Sequence, residues 1–242
     1  MFLPRRLPDL HGWDYEVLWR TARQVGGDFY DIFELPNKRL GVIIADVADK
    51  GMPAALFMSM IRSLVRETVQ QFDDPAEVLE YVNEIILPDA QKGMFVTMVY
   101  GVLCLETGEF KYANAGHNLP LILRLRSDEL EHLEGGGMAL GVMDGFQIRG
   151  KTALLDHGDC LIMYTDGITE AFSPGGQIYG EDRLRTAIQD VRKHAPNEPE
   201  GTPNLAKIVL ETIDQSVSSF INSDSLSDDQ TLVVFSRQTP QE

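Results

Sequence analysis

The spacing of hydrophobic positions changes period along the chain, and each change marks an element. After an irregular lead-in over residues 1–12, DYEVLWRTA alternates apolar and polar residues and predicts a strand from Asp14 to Ala22. GGDFYDIFEL and LGVIIADV flank the turn PNKR and predict a hairpin, its second strand almost wholly apolar until Asp46. Beyond Pro53, which suits a first helical turn, AALFMSMIRSLVRETVQQF carries apolar residues at helical spacing. Met52, Met58 and Met60 are expected to pack in the core of that helix. DDPAEVLEYVNEIIL predicts a second helix, opened by an aspartate cap and a proline.

The period then drops to two. MFVTMVYGVLCLE, the turn TGE, FKYANAG and PLILRLR predict a meander of neighbouring antiparallel strands. EGGGMALG is a glycine-rich loop, and FQIRGKTALL and DCLIMYTD are further strands. EDRLRTAIQDVRKH and NLAKIVLETIDQSVSSFI are amphipathic helices joined by the surface loop APNEPEGTPN, and QTLVVFSR is a final strand. Strands, two helices, many strands, two helices and a strand predict an α+β layered domain with antiparallel sheets. No linker interrupts the pattern, so residues 1–242 are expected to form a single domain.

Charge narrows the partners. The formal net charge is −16. Such a surface repels nucleic acid and anionic membranes, and it repels a phosphorylated substrate too unless bound cations reverse the local field. Cys104 and Cys160 both lie in apolar runs and are expected to be buried thiols in strands. The lack of a CxxC motif or disulfide framework fits a reducing cytosol, so a cytoplasmic location is expected. No apolar run approaches the length needed to cross a membrane.

Acidic residues recur beside strand ends: Asp28 and Asp31 in GGDFYD, Asp46 in VIIADVADKG, Asp166 in LIMYTDGITE, and Asp228 and Asp229 in SDDQTLVV. A carboxylate abutting a buried strand is costly without a partner, and several brought together repel. A hard divalent cation resolves both problems, because oxygen donors suit Mg(II) and Mn(II). Any one of these aspartates alone reads equally as a turn or helix cap. Spacing leaves both readings open.

GGDFYD, IADVADKGMPAALFM, YANAGHNLPLIL, MALGV, LIMYTDGITEAF, IYGEDRL and SDDQTLVV together resemble the successive motifs of the SpoIIE-like branch of the metal-dependent PPM protein phosphatases, in that family's order, from about residue 14 to residue 236. The resemblance implies a four-layer α/β/β/α sandwich of two antiparallel sheets flanked by helix pairs. It implies two divalent cations, Mn(II) or Mg(II). Asp28 matches the first metal-binding aspartate, and Asp46 the one that bridges both metals. The carbonyl of Val47 matches the next ligand, Asp166 the aspartate of the strand-end Asp-Gly motif, and Asp228 the last metal ligand, with its neighbour Asp229 the alternative for that direct contact. Asp31 is a candidate helper through water, and Arg23 a candidate phosphate-binding residue.

The implied activity is hydrolysis of phosphoserine or phosphothreonine on a partner protein by direct attack of a metal-bridging hydroxide. The implied substrate is a STAS-domain anti-sigma-factor antagonist, with an upstream sensor domain and a homodimer as further partners. One departure concerns the acid. Relatives often place a histidine just beyond the bridging aspartate, whereas this chain has Ala48 and Lys50, so metal-bound water and Lys50 are the candidate sources of acid assistance. His117 in NAGHNLP is expected to be structural, with Asn114 and Gly116 stabilising a tight turn through bonds to backbone. The competing reading is a phosphatase fold that binds a partner without turning it over.

Overall fold

The structure is a computed structural model that describes residues 10–24, 26–48, 51–88, 90, 93–127, 129–194, 204–223 and 226–239. Its first elements are β1 (Trp13–Arg20), β2 (Phe29–Leu35), β3 (Arg39–Val47), α1 (Met52–Thr68), α2 (Pro75–Ile86), β4 (Val96–Cys104) and β5 (Glu109–Ala115). There follow β6 (Leu121–Arg124), β7 (Glu129–His132), β8 (Lys151–Leu154), β9 (Asp159–Tyr164), α3 (Asp166–Thr169), α4 (Gly180–His194), α5 (Leu205–Ile221) and β10 (Gln230–Arg237). Two compact units emerge, each discontinuous in sequence. Among the described residues, the first takes in 23–119 and 134–154, and the second 10–22, 120–133 and 155–239.

The first unit is an antiparallel sheet in the order β2-β3-β4-β5-β8 with α1 and α2 on one face. The β2–β3 hairpin closes through Asn37 and Lys38, both in left-handed conformations. Alternation along β3 sends Ile43, Ala45 and Val47 into a core with Met58, Ile61 and Val65 of α1 and Leu79, Val82 and Ile86 of α2. Fully burying a side chain such as Ile61 stabilises the unit by about 1.5–3 kcal/mol. α2 begins where predicted: the Asp74 carboxylate accepts from the Ala76 amide at 2.8 Å, and Pro75 occupies the first turn.

Of the three methionines assigned to the core of α1, only Met58 is there. Met52 and Met60 are 62% and 39% exposed and form a stripe with Leu56, because positions four apart share a helical face and this one turns away from the sheet.

The second unit is an antiparallel sheet in the order β1-β10-β9-β6-β7. Ile162, Tyr164, Leu232 and Val234 share its core with Ile188 and Val191 of α4 and Ile213 and Val217 of α5. α5 is capped by Asn204, whose side chain accepts from the Lys207 amide.

Further expectations change. β6 does not continue a meander from β5. It pairs with β7 and β9 in the other sheet, because the chain leaves β5 at Gly116 and passes through Pro120. β7 and the short α3 were not anticipated, and FQIRGKTALL is a strand only over Lys151–Leu154. Cys160 is buried as expected, but Cys104, at the end of β4, is partly exposed. The loop APNEPEGTPN lies outside the described residues except for its last, Asn204. No helix among the described residues is long and apolar enough to cross a membrane.

Candidate functional site

In the first unit the hairpin register builds a carboxylate pair. Phe29 is opposite Ala45, and the Val47 amide donates to the Gly27 carbonyl at 3.3 Å. Asp28 and Asp46, one step between those pairs, therefore face each other as a non-hydrogen-bonded pair. Such a pair holds its Cα atoms about 4.5 Å apart, with both side chains on one face. That face is opposite α1 and α2, since Phe29, Ala45 and Val47 point to the helices. Asp28 is 2% exposed and Asp46 is half-buried.

In the second unit a close backbone approach gathers the other carboxylates. A Cβ on Gly167 would lie 1.8 Å from the Asp229 carbonyl oxygen, so only glycine lets the start of α3 reach the residues before β10. The Thr165 amide donates to the Thr231 carbonyl, the Thr231 amide to Thr165 Oγ1, and Gln230 Nε2 to the Gly167 carbonyl. These bonds fix half-buried Asp166 beside the Asp228–Asp229 segment. Asp228 Oδ1 accepts from the Asp229 amide at 2.9 Å. Asp229 is buried, and its Oδ1 accepts from the Ala22 amide at 2.8 Å.

Each unit thus brings its own predicted aspartates together. Among the described residues, no group of three or more His, Cys, Asp or Glu side chains stands close enough to hold a metal ion by itself. The donor chemistry is all oxygen, which fits Mg(II) or Mn(II). The glycine-permitted approach at Gly167 and the register-opposed Asp28–Asp46 pair are features that turn-capping does not require. Val47 lies in β3 with its side chain buried toward the helices. Arg23 is exposed, and Lys50 lies outside the described residues.

Asp31, expected as a helper through water, is on the wrong face for that role. It points toward α1, fully buried, and accepts from Arg66 Nε at 2.6 Å, Arg66 Nη2 at 2.8 Å and Arg62 Nη2 at 3.1 Å. One residue of offset from even to odd positions on β2 accounts for the difference. The sequence reading missed these arginines. Their signal was the i, i+4 spacing of Arg62 and Arg66, which puts both guanidinium groups on one helical face. Arg66 also lies over the Phe33 ring, 4.8 Å from its centroid. The Asp31 carboxylate holds the Arg66 guanidinium even further above its usual range.

The expected turn at Asn114 is present. Its Nδ2 donates to the His117 carbonyl at 2.9 Å, and the His117 amide donates to its Oδ1 at 2.8 Å. Tyr30 and Tyr164 each follow or precede a candidate aspartate closely in sequence. Burial pushes both phenols up, that of Tyr164 to about 12, so neither ionises at neutral pH.

A family model described as Stage II sporulation protein E (SpoIIE) matches residues 36–238. Protein IcfG of Synechocystis sp. is 34% identical over 215 residues, covering 77% of this chain and 34% of that protein. Phosphoserine phosphatase RsbU of Bacillus subtilis is 29% identical over 188 residues, covering 78% of this chain and 56% of its own length. The chain therefore spans between a third and somewhat over half of these relatives. A crystal structure of the RsbU and RsbW domains of a Mycobacterium tuberculosis protein matches all of this chain and 64% of its own with a TM-score of 0.78 and 25% identity. That likeness shows the α+β fold expected from the sequence, two antiparallel sheets with helix pairs.

Proposed function

The chain belongs to the SpoIIE family, and on that footing we propose that it hydrolyses phosphoserine or phosphothreonine on a partner protein, the whole chain acting as one phosphatase domain. The observation that carries the proposal is the register-opposed pair Asp28 and Asp46, two carboxylates fixed on one sheet face by backbone bonds. The all-oxygen donor set, which suits Mg(II) or Mn(II), supports the same reading.

Asp28, Asp46, the Val47 carbonyl, Asp166 and Asp228 are the proposed ligands of two divalent cations, Mn(II) or Mg(II). Asp229 supports Asp228 from a side chain tied to the Ala22 amide. Bound cations of this kind neutralise a phosphate dianion and supply a hydroxide nucleophile at neutral pH. The chain's own part is to hold the carboxylates in place before substrate arrives. Arg23, which is exposed, offers a planar fork for the phosphate oxygens. Lys50 is the proposed acid for the serine leaving group. A cysteine nucleophile has no support: Cys160 is buried, and burial pushes its thiol far above the usual range.

The proposed substrate is a phosphorylated STAS-domain antagonist in a partner-switching system, with an upstream sensor domain and a second copy of the chain as regulatory partners. The kinship with a phosphoserine phosphatase, RsbU, supports a phosphoprotein substrate. The test is phosphate release from a phosphoserine peptide and from a phosphorylated STAS domain, with and without Mn(II). Metal-dependent release is expected, faster on the folded domain. A folded, metal-supplied chain inert on both substrates would instead indicate a binding module.

A further inference from the structure

A cross-strand row continues beyond the carboxylate pair. Asp46 is opposite Thr97 on β4, and the adjacent bond from the Ala48 amide to the Phe95 carbonyl makes Asp46 and Thr97 a hydrogen-bonded pair. Such residues have Cα atoms about 5.5 Å apart and side chains on one face. Met98 is opposite Ala115 on β5, so Gly116 falls next to Thr97. The backbone reverses at Gly116, where φ is 73°, and a Cβ there would meet the Ala139 amide nitrogen at 3.0 Å. The two bonds from Asn114 clamp the backbone of His117. This turn carries the His117 ring back over the sheet, where its Nδ1 lies 2.8 Å from Thr97 Oγ1. The histidine is buried, at 7% exposure.

We propose that Thr97 and His117 are positioning residues for the Asp46 carboxylate. A carboxylate only accepts, whereas a hydroxyl donates one hydrogen and accepts on its lone pairs. With the imidazole Nδ1–H donating to Thr97 Oγ1, the threonine hydrogen is left for the carboxylate opposite. The Asn114 clamp fixes the ring, the ring fixes the hydroxyl rotor, and the hydroxyl fixes Asp46. The motif NAGH, which looks like a turn in the sequence, acts through Thr97 on a residue 71 positions upstream of the histidine. Hydrogen bonds to metal-ligating carboxylates orient them, and losing one typically weakens metal affinity by about 10–100-fold. The inference rests on Asp46 being a metal ligand.

The test is calorimetric titration of Mn(II) into the full chain, alongside the thermal midpoint of the metal-free protein. Thr97→Val keeps the β-branch and the strand but loses the hydroxyl. It is expected to weaken Mn(II) binding roughly tenfold, together with a modest drop in the metal-free midpoint because the buried His117 Nδ1 loses its partner. Thr97→Ser restores the hydroxyl and is expected to bind as the wild type does. If Thr97→Val fails to fold, the histidine reads the same relay. His117→Asn puts an amide near the place of Nδ1 and keeps the affinity, whereas His117→Gln does not. Wild-type affinity in Thr97→Val, or equal loss in Thr97→Val and Thr97→Ser, overturns the inference. Equal affinities in the two His117 variants overturn it as well. Asp46→Asn separates the two levels of the argument. If it binds Mn(II) as the wild type does, the metal-ligand reading fails and takes the inference with it. If it loses binding while Thr97→Val does not, the inference fails alone.

Discussion

Asp28 and Asp46 face each other across the β2–β3 register, both on the sheet face opposite α1 and α2. Like charges directly opposite in a sheet are destabilising, so the pairing has a cost in the metal-free chain. Asp46→Asn is expected to reduce Mn(II)-dependent hydrolysis of para-nitrophenyl phosphate by about 100-fold or more. Its metal-free thermal midpoint should equal or exceed that of the wild type. Asp28→Asn should behave in the same way.

Gly167 has no room for a side chain. Alanine there would force its Cβ against the Asp229 carbonyl, at 1.8 Å before any shift. Gly167→Ala is expected to destabilise the chain by about 1–3 kcal/mol, and to separate Asp166 from Asp228. Chemical denaturation and Mn(II) titration read the two effects. Wild-type stability would show that the α3 start relaxes freely.

Asp31 is a structural anion. Removing it leaves Arg62 and Arg66 adjacent to each other without the buried carboxylate they share. Breaking such a pair from one side typically costs about 3–5 kcal/mol, and the partly exposed arginines place this site at or below the low end. Asp31→Asn should lower the denaturation midpoint while leaving Mn(II) affinity within about twofold. A large loss of affinity at unchanged stability would return Asp31 to the metal site.

The two thiols differ in reactivity. A hydrogen bond with Thr107 lowers the Cys104 thiol below its usual range, and burial raises that of Cys160. The thiolate is the reactive form, so a lowered thiol keeps more of it at a given pH. Iodoacetamide should label Cys104 in the native chain, with a rate that rises through a pH below that of free cysteine. Cys160 should react only after unfolding, and labelling at Cys104 should leave phosphatase activity intact. Loss of activity on labelling would reopen a covalent route.

Much of this architecture is legible from local pattern. The apolar runs of β3, β4, β9 and β10, the capped start of α2 and the amphipathic period of α5 announce themselves, because periods and caps are local properties. β7 does not. ELEH is a short edge strand with its glutamates exposed, so burial leaves little mark on its sequence. The assignment of β6 to the wrong neighbour followed from assuming that consecutive strands pair, which the turn at Asn114–His117 defeats. The aspartates were legible as candidates through their motifs. Their company was not: the arginines on Asp31, the carbonyl beside Gly167 and the threonine opposite Asp46 all come from distant positions and depend on register.

The claim on which the account turns is that these carboxylates are metal ligands. Anomalous diffraction from crystals of the chain grown with Mn(II) tests it most directly. Manganese is expected on the carboxylates of Asp28 and Asp46 in the first unit and on those of Asp166 and Asp228 in the second. Manganese bound elsewhere, with those four side chains free of it, would contradict the account.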